Sequence, residues 1–279
     1  MPQQIHIPKN PKLRQIVNFI AYIDLDEQHL TDKWIAIFPN ATSNLSISLT
    51  GEKLWLNNTR KSSILGTSCS STVAMKHVRP LKFLNIQFNP FGMYYFKGIP
   101  MGELHNTISS CDLFFKASDF ESFRDQLLSQ PDLESTFEAA ENFILSRIAL
   151  HQIDKRLPTA VSLLKNNQLN MDELSDILCL SNRGFRKLFI QQVGLSPNYY
   201  KKIMRFNKAA LDMMNSAAPS LTRIALENDY YDQSHFIKDF KQFAGITPTQ
   251  FLRDKGITSD FYNFNLQDLD NFESSFQLN

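Results

Sequence analysis

The sequence predicts an α+β fold: a small β-barrel or sandwich first, then an all-helical part built from two helix-turn-helix units joined by a long helix. Three observations predict it. Short β-branched and aromatic runs fill residues from about 30 to 100. Helical spacing of three and four residues replaces them from about residue 119. Within the helical part, the pattern of residues 185–200 returns in residues 236–251, an offset of 51.

The β-rich part reads as short strands between turn signals. WIAIFPN, NLSISLTG and KLWLNN end at Pro39-Asn40, Gly51 and Asn57-Asn58. Leu45, Ile47 and Leu49 alternate with Ser46 and Ser48, the period of a half-buried strand. Leu84, Ile86 and Phe88 alternate with Asn85 and Gln87 in the same way, until Pro90 stops the run. Several short strands with turns between them fit a small barrel or sandwich. After them, Phe120, Phe123 and Leu127, then Phe137, Ala140, Ile144 and Ile148, mark two helices parted by Pro131-Asp132. The domain boundary is expected at 152–157, before Pro158. This gives a first domain over 1–151, a helical domain over 152–256, and an acidic, Phe-rich tail over 257–279.

The repeated unit is legible residue by residue. Phe185, Phe189, Gly194, Ser196-Pro197 and Tyr200 match Phe236, Phe240, Gly245, Thr247-Pro248 and Phe251. Phe at i and i+4 makes one buried helix face. Gly ends the helix because it takes a left-handed φ at no steric cost. Ser or Thr then caps a new helix, with Pro in its first turn. A shorter amphipathic helix precedes each unit. In the first, Leu174, Ile177 and Leu178 are expected inward; in the second, Leu221, Ile224 and Ala225. The joining turns are Cys179-Leu180-Ser181 and Asp229-Tyr230-Tyr231-Asp232, with Ser181 and Asp232 as N-caps. Helix, tight turn and helix make the DNA-binding supersecondary unit. A helix over about 197–214 joins the two, with Ile203, Phe206, Ala210 and Leu211 on one face. Two such second helices on one support suit successive major grooves roughly 34 Å apart.

Charge supports the same reading. The whole chain carries only +1, but residues 155–255 carry 15 Lys and Arg against 9 Asp and Glu. Residues 1–154 are near neutral, and residues 256–279 hold four acidic groups and no basic one. A basic segment between neutral and acidic ones points toward nucleic acid. Asn182, Arg183, Arg186 and Lys187 lie off the Phe185/Phe189 stripe; Gln233, Ser234 and Lys238 lie off the Phe236/Phe240 stripe. These residue types read base edges bidentately. Lys201 and Lys202, just after the capped Ser196-Pro197 start, are expected to meet phosphate.

IALENDYYDQSHFIKDFKQFAGITPTQF and LSNRGFRKLFIQQVGLSP resemble the DNA-binding domain of the AraC/XylS family of bacterial regulators over residues 158–254. The resemblance implies base contacts from Arg183, Arg186 and Lys187 in the first unit and Gln233, Ser234, Ile237 and Lys238 in the second. His235 lies one place off that set and is expected at phosphate. There are two departures. Asp229 stands where the family has Gly, and Gly184 lies inside the first reading helix, where Gly costs up to ~1 kcal/mol relative to Ala. FPNATSNLSISLTG and NIQFNPFGMYYFKGIP resemble the family's sensor region more loosely. That implies a cupin-like β-domain, flanking helices that pair two protomers, and a small-molecule effector of unknown identity.

Other classes find less support. His6, His29, His77, His105, His151 and His235 are scattered, with no metal-binding spacing, so no catalytic residue, cofactor or metal is expected. Only nine glycines occur, and no P-loop or nucleophile elbow is present. A cupin-type enzyme is therefore the weakest alternative. An interaction protein that has lost DNA binding is the other, favoured by Asp229 and the acidic tail. Cys69, Cys111 and Cys179 form no CxxC pair, which fits a reducing cytoplasm. No apolar run reaches the ~18 residues of a membrane helix. The expected partners are double-stranded DNA, RNA polymerase, the effector and a second copy of the chain. Whether Met93, Tyr94 and Tyr95, with the many Phe residues, line a pocket or fill the core stays open.

Overall fold

Strand alternation shows that the two faces of a strand differ, and the neighbours decide what covers each. In a computed structural model of the chain, residues 3–25, 35–76, 79–148, 153–165, 169–216 and 218–253 are described. Ten strands come first: β1 (Gln3–His6), β2 (Val17–Leu25), β3 (Ile35–Ile37), β4 (Ser43–Ser48), β5 (Leu54–Leu56), β6 (Thr59–Lys61), β7 (Ser63–Gly66), β8 (Val73–Lys76), β9 (Leu81–Phe88) and β10 (Ile108–Ser109). They form two antiparallel sheets, ordered β1-β2-β9-β4-β7-β10 and β3-β8-β5-β6. The β-structure thus begins well before residue 30. The sequence gives β2 no clear alternation, because both of its faces are covered.

Short helical turns α1 (Pro11–Arg14) and α2 (Tyr94–Lys97) interrupt this part, and α3 (Ala117–Leu128) and α4 (Leu133–Arg147) close it. Asp132 caps α4 by accepting from the Ser135 amide, so the Pro131-Asp132 break is where the sequence places it. Leu45, Ile47, Leu84, Ile86 and Phe88 share one core with Phe120, Phe123, Phe137 and Ile144. The helices therefore cover the apolar face of the larger sheet. Its other face meets the smaller sheet, with Phe19, Phe83, Leu54 and Met75 between them.

The half-buried strands expected from the alternation are instead covered on the side of Ser46, Ser48, Asn85 and Gln87 as well. Ser48, Asn85 and Gln87 are buried, and Ser46 is half-buried. The Ser46 hydroxyl donates to Asn85 at 3.0 Å, and the Ser48 hydroxyl donates to the Glu52 carbonyl at 2.6 Å. Both sheet faces are enclosed, and the polar one lines a cavity of about 70 Å³. Met93 fills the core, and Tyr94 and Tyr95 pack against it; none of the three lines that cavity.

The helical part holds α5 (Leu157–Lys165), α6 (Met171–Ile177), α7 (Asn182–Val193), α8 (Pro197–Asn215), α9 (Leu221–Glu227), α10 (Gln233–Ala244) and α11 (Pro248–Arg253). Phe185, Phe189, Phe206, Phe236, Phe240 and Phe251 are buried in its core. That core also includes Phe38, Ala41 and Phe91 from the β-rich part. Cys69, Cys111 and Cys179 are free, and burial pushes the Cys69 thiol up to about 11 and Cys111 to about 12. Among the described residues, no helix is long and apolar enough to cross a membrane. His29, His77, His151 and the 257–279 tail lie outside the described residues.

Candidate nucleic-acid interface

Each repeat folds as a helix, a tight turn and a second helix. In the first, Asn170 caps α6 with a full capping box, Ser181 caps α7 through the Gly184 amide, and Gly194 ends it at φ 91°. In the second, Ser220 caps α9, Asp232 caps α10 through the His235 amide, and Gly245 ends it at φ 75°. Cys179 and Asp229 occupy the turns with φ of 51° and 57°. Asp229 thus adopts the left-handed backbone that Gly would take most easily. A Cβ at Gly184 would lie 3.1 Å from the Ser181 hydroxyl, so Gly leaves room for the cap. The offset is 50 residues up to Leu180 and Tyr230, whose amides bond Ser175 and Ala225, and 51 after them. The extra residue is Tyr231, which is 89% exposed.

The first helix of each unit departs from expectation at one place. Leu174 and Leu178 are buried, but Ile177 is exposed, because Ser175 turns inward in its stead. Ile224 and Ala225 are buried and Leu221 packs at the margin.

The nominated contact residues separate into two groups. Arg183, Arg186 and Lys187 on α7 are exposed, as are Ser234 and Lys238 on α10; Ile237 is half-buried. Asn182, which is exposed as well, and the half-buried Gln233 are also bound within their own units. The Asn182 amide donates to Asp172, and its oxygen accepts from the Ser175 hydroxyl at 2.6 Å. Gln233 accepts from the Thr222 hydroxyl at 2.7 Å. These matched bridges join the first helix of each unit to the second. Lys201 is half-buried and its ammonium donates to the Leu169 carbonyl at 2.7 Å, which leaves Lys202 as the exposed lysine there. His235 stands 3.6 Å from Asp239 and meets Tyr230 edge-on.

The sequence reading missed Arg205, on the connecting helix. It donates to Asp239 at 2.8 Å and to the Asp229 carbonyl at 3.2 Å, and its guanidinium lies 4.1 Å above the Tyr230 ring. It thereby fixes the second turn to the second helix. Burial pushes the Tyr230 phenol well up, so it stays protonated.

The β-rich part touches both second helices. The Ser68 hydroxyl donates to the Val193 carbonyl at 3.3 Å, and Thr72 donates to the Phe243 carbonyl at 2.6 Å. One loop therefore serves the C-terminal ends of α7 and α10, where carbonyls lack helix partners. A 3-10 turn over Met101–Leu104 lies against α7, so close that a Cβ on Gly102 would sit 2.9 Å from Ile190 Cγ2.

A family model described as a helix-turn-helix domain matches residues 174–254. An uncharacterized HTH-type transcriptional regulator of Haemophilus influenzae is 29% identical over 135 residues, 42% of this chain and 45% of the relative. The HTH-type transcriptional regulator ArgR of Pseudomonas aeruginosa is 29% identical over 98 residues, 34% of this chain and 30% of the relative. The chain thus spans less than half the length of these curated relatives. A crystal structure of ToxT from Vibrio cholerae aligns with 84% of this chain and 97% of its own, at 13% identity and a TM-score of 0.44. Residues 174–254 of the chain thus match a helix-turn-helix domain, the part that α6 to α11 build here.

Proposed function

We propose that the protein is a sequence-specific, DNA-binding transcription regulator that answers a small-molecule effector. The observation that carries this reading is the pair of capped second helices, α7 and α10, joined through α8. α7 presents Arg183, Arg186 and Lys187 outward, and α10 presents Ser234 and Lys238. Arg and Lys suit guanine edges and phosphates, and a helix presented outward suits the major groove. In this reading residues 152–256 read double-stranded DNA, and residues 1–151 sense the effector and pair two copies of the chain. The regulator works in the cytoplasm, with RNA polymerase as its partner at the promoter.

The test is retention of a random duplex pool by the full chain, followed across salt from about 50 to 200 mM. Counterion release gives a log-log slope of roughly −0.9 per phosphate neutralised. Enrichment of one motif with such a slope is the expected result. Retention without salt dependence, or with no motif after repeated selection, would sink the reading.

A further inference from the structure

The cavity between the two sheets has one polar wall and one apolar wall. Asn44, Ser46 and Asn85 form the first. Ser46 donates to Asn85 at 3.0 Å, and the Asn85 amide reaches Asn44 at 3.4 Å. Ile64, Met75 and Phe83 form part of the second. Among the described residues no Asp, Glu, Lys, Arg or His lines it. A carboxylate or an ammonium taken up there would lose its water and gain no counter-charge. Amides and hydroxyls both donate and accept, so they match a neutral group that does the same.

Its volume, about 70 Å³, is roughly half the ~150 Å³ in which a dry protein cavity takes up benzene. A ring-sized molecule is therefore taken in whole only if a wall gives way. The strand walls are held by ladder hydrogen bonds. Thr67, Cys69 and Ser71, after β7, form one irregular wall; the other is Phe38–Asn40, which follows β3. Its far side belongs to the helical core: the Phe38 ring lies 5.5 Å from Phe206, 5.7 Å from Phe251 and 6.4 Å from Phe240. The buried Asn207 amide donates to the Pro39 carbonyl at 3.1 Å. Next to them, Ala41 is held at φ 57°. A non-glycine residue keeps such a backbone only where its surroundings impose it. The same residues thus bound the cavity on one side and complete the core under α8, α10 and α11 on the other.

We propose that the cavity between the sheets binds an uncharged, ring-sized molecule bearing an amide or hydroxyl group, and that Phe38 passes its uptake to the reading helices. This rests on the effector-responsive reading above and gives it a ligand class and a route. Because one segment forms both the cavity wall and the core contact, the two compete. Coupling of this kind is reciprocal: loosening Phe38 from the helical core tightens the ligand, and the ligand loosens Phe38.

The experiment uses the full chain and two probes of one shape, para-fluorobenzamide and para-fluorobenzoate, titrated by fluorine NMR. The neutral amide should bind, and the anion should bind at least about tenfold more weakly, a difference of ~1.4 kcal/mol. Phe38→Ala should tighten the amide several-fold. Asn207→Ala, which removes the Pro39 bond, should do the same to a lesser degree and covers the case in which Phe38→Ala does not fold. Equal binding of both probes would overturn the ligand class. Amide binding that is unchanged in the folded variants would overturn the Phe38 route. Binding of neither probe would overturn the proposal as a whole. The titration contains no DNA, so its failure is distinct from failure of the salt-dependent retention that tests the regulator itself.

Discussion

The Asn182 side-chain oxygen accepts the Ser175 hydroxyl hydrogen at 2.6 Å, inside the first helix-turn-helix unit. Fifty-one residues on, Gln233 accepts from Thr222 at 2.7 Å in the second unit. Thr222 stands fifty residues after Asp172, to which the Asn182 amide donates, so the repeat keeps a helix-to-helix bridge at the very positions that composition nominates for base reading.

These bridges predict a division of labour. Asn182→Ala should lower stability by roughly 1 kcal/mol, the net worth of a typical hydrogen bond. Its preferred DNA sequence should match wild type. Thermal melting and site selection from random DNA check the two halves. A changed preference with an unchanged melting curve would return Asn182 to the reading set.

Phe185 and Phe236 make the second prediction. Each is buried and meets the next Phe of its helix edge-on, at 5.6 Å in both units. Phe→Ala at either should destabilise the chain by roughly 3–5 kcal/mol, the transfer and cavity cost of deleting a buried ring. Urea denaturation measures it. Wild-type midpoints for both variants would mean that the two units do not depend on these rings.

Much of the helical part is legible because its signals are local. Ser181, Ser196 and Asp232 each cap the helix they precede, and Gly194 and Gly245 end theirs in left-handed backbone. Each signal needs only its neighbours within four residues. The cavity is not legible in this way. Alternation of Leu84, Ile86 and Phe88 with Asn85 and Gln87 shows two unlike faces, but not that a second sheet covers the polar one. Phe38 belongs to an apolar strand-like run, and nothing nearby says that its ring joins Phe206 and Phe240. Lys201 looks exposed by residue type, yet the Leu169 carbonyl receives its ammonium. Such outcomes depend on residues far apart in the chain, which periodicity cannot report.

The third prediction concerns the face of α7 that carries Arg183 and Lys187. Ile190 and Gly194 continue that face at helical spacing. Ile190 lies against Gly102, and a Cβ on Gly194 would sit 2.9 Å from the Met101 carbonyl. Ile190 is only three residues past Lys187, about 4.5 Å along the axis. A helix ~10–12 Å across nearly fills a major groove ~12 Å wide. The groove and the Met101–Leu104 turn therefore compete for one face. Gly102→Phe should push the turn away and raise affinity for a selected duplex several-fold, measured by fluorescence anisotropy. Unchanged affinity in a folded Gly102→Phe protein would show that α7 reads DNA with the turn in place.

The last prediction separates readout from attraction. Arg186 is exposed, beside the buried Phe185 and three residues after Arg183. Lys202 is exposed near the start of α8, whereas its neighbour Lys201 holds the Leu169 carbonyl. An Arg on a guanine edge carries ~1–3 kcal/mol of discrimination, while a phosphate contact weakens all sequences alike. Arg186→Ala should lose preference at one or two adjacent base pairs of a half-site, read by selection from random DNA. Lys202→Ala should bind every site less well, with a salt slope shallower by about one and the same preferred sequence. Lys201→Ala should act differently again. It should lower the melting temperature through the loop before α6 and leave the salt slope unchanged. A shallower slope in Lys201→Ala would place that lysine at phosphate as well. An intact preference in Arg186→Ala would remove Arg186 from readout and leave Arg183 and Lys187 as the first unit's contacts.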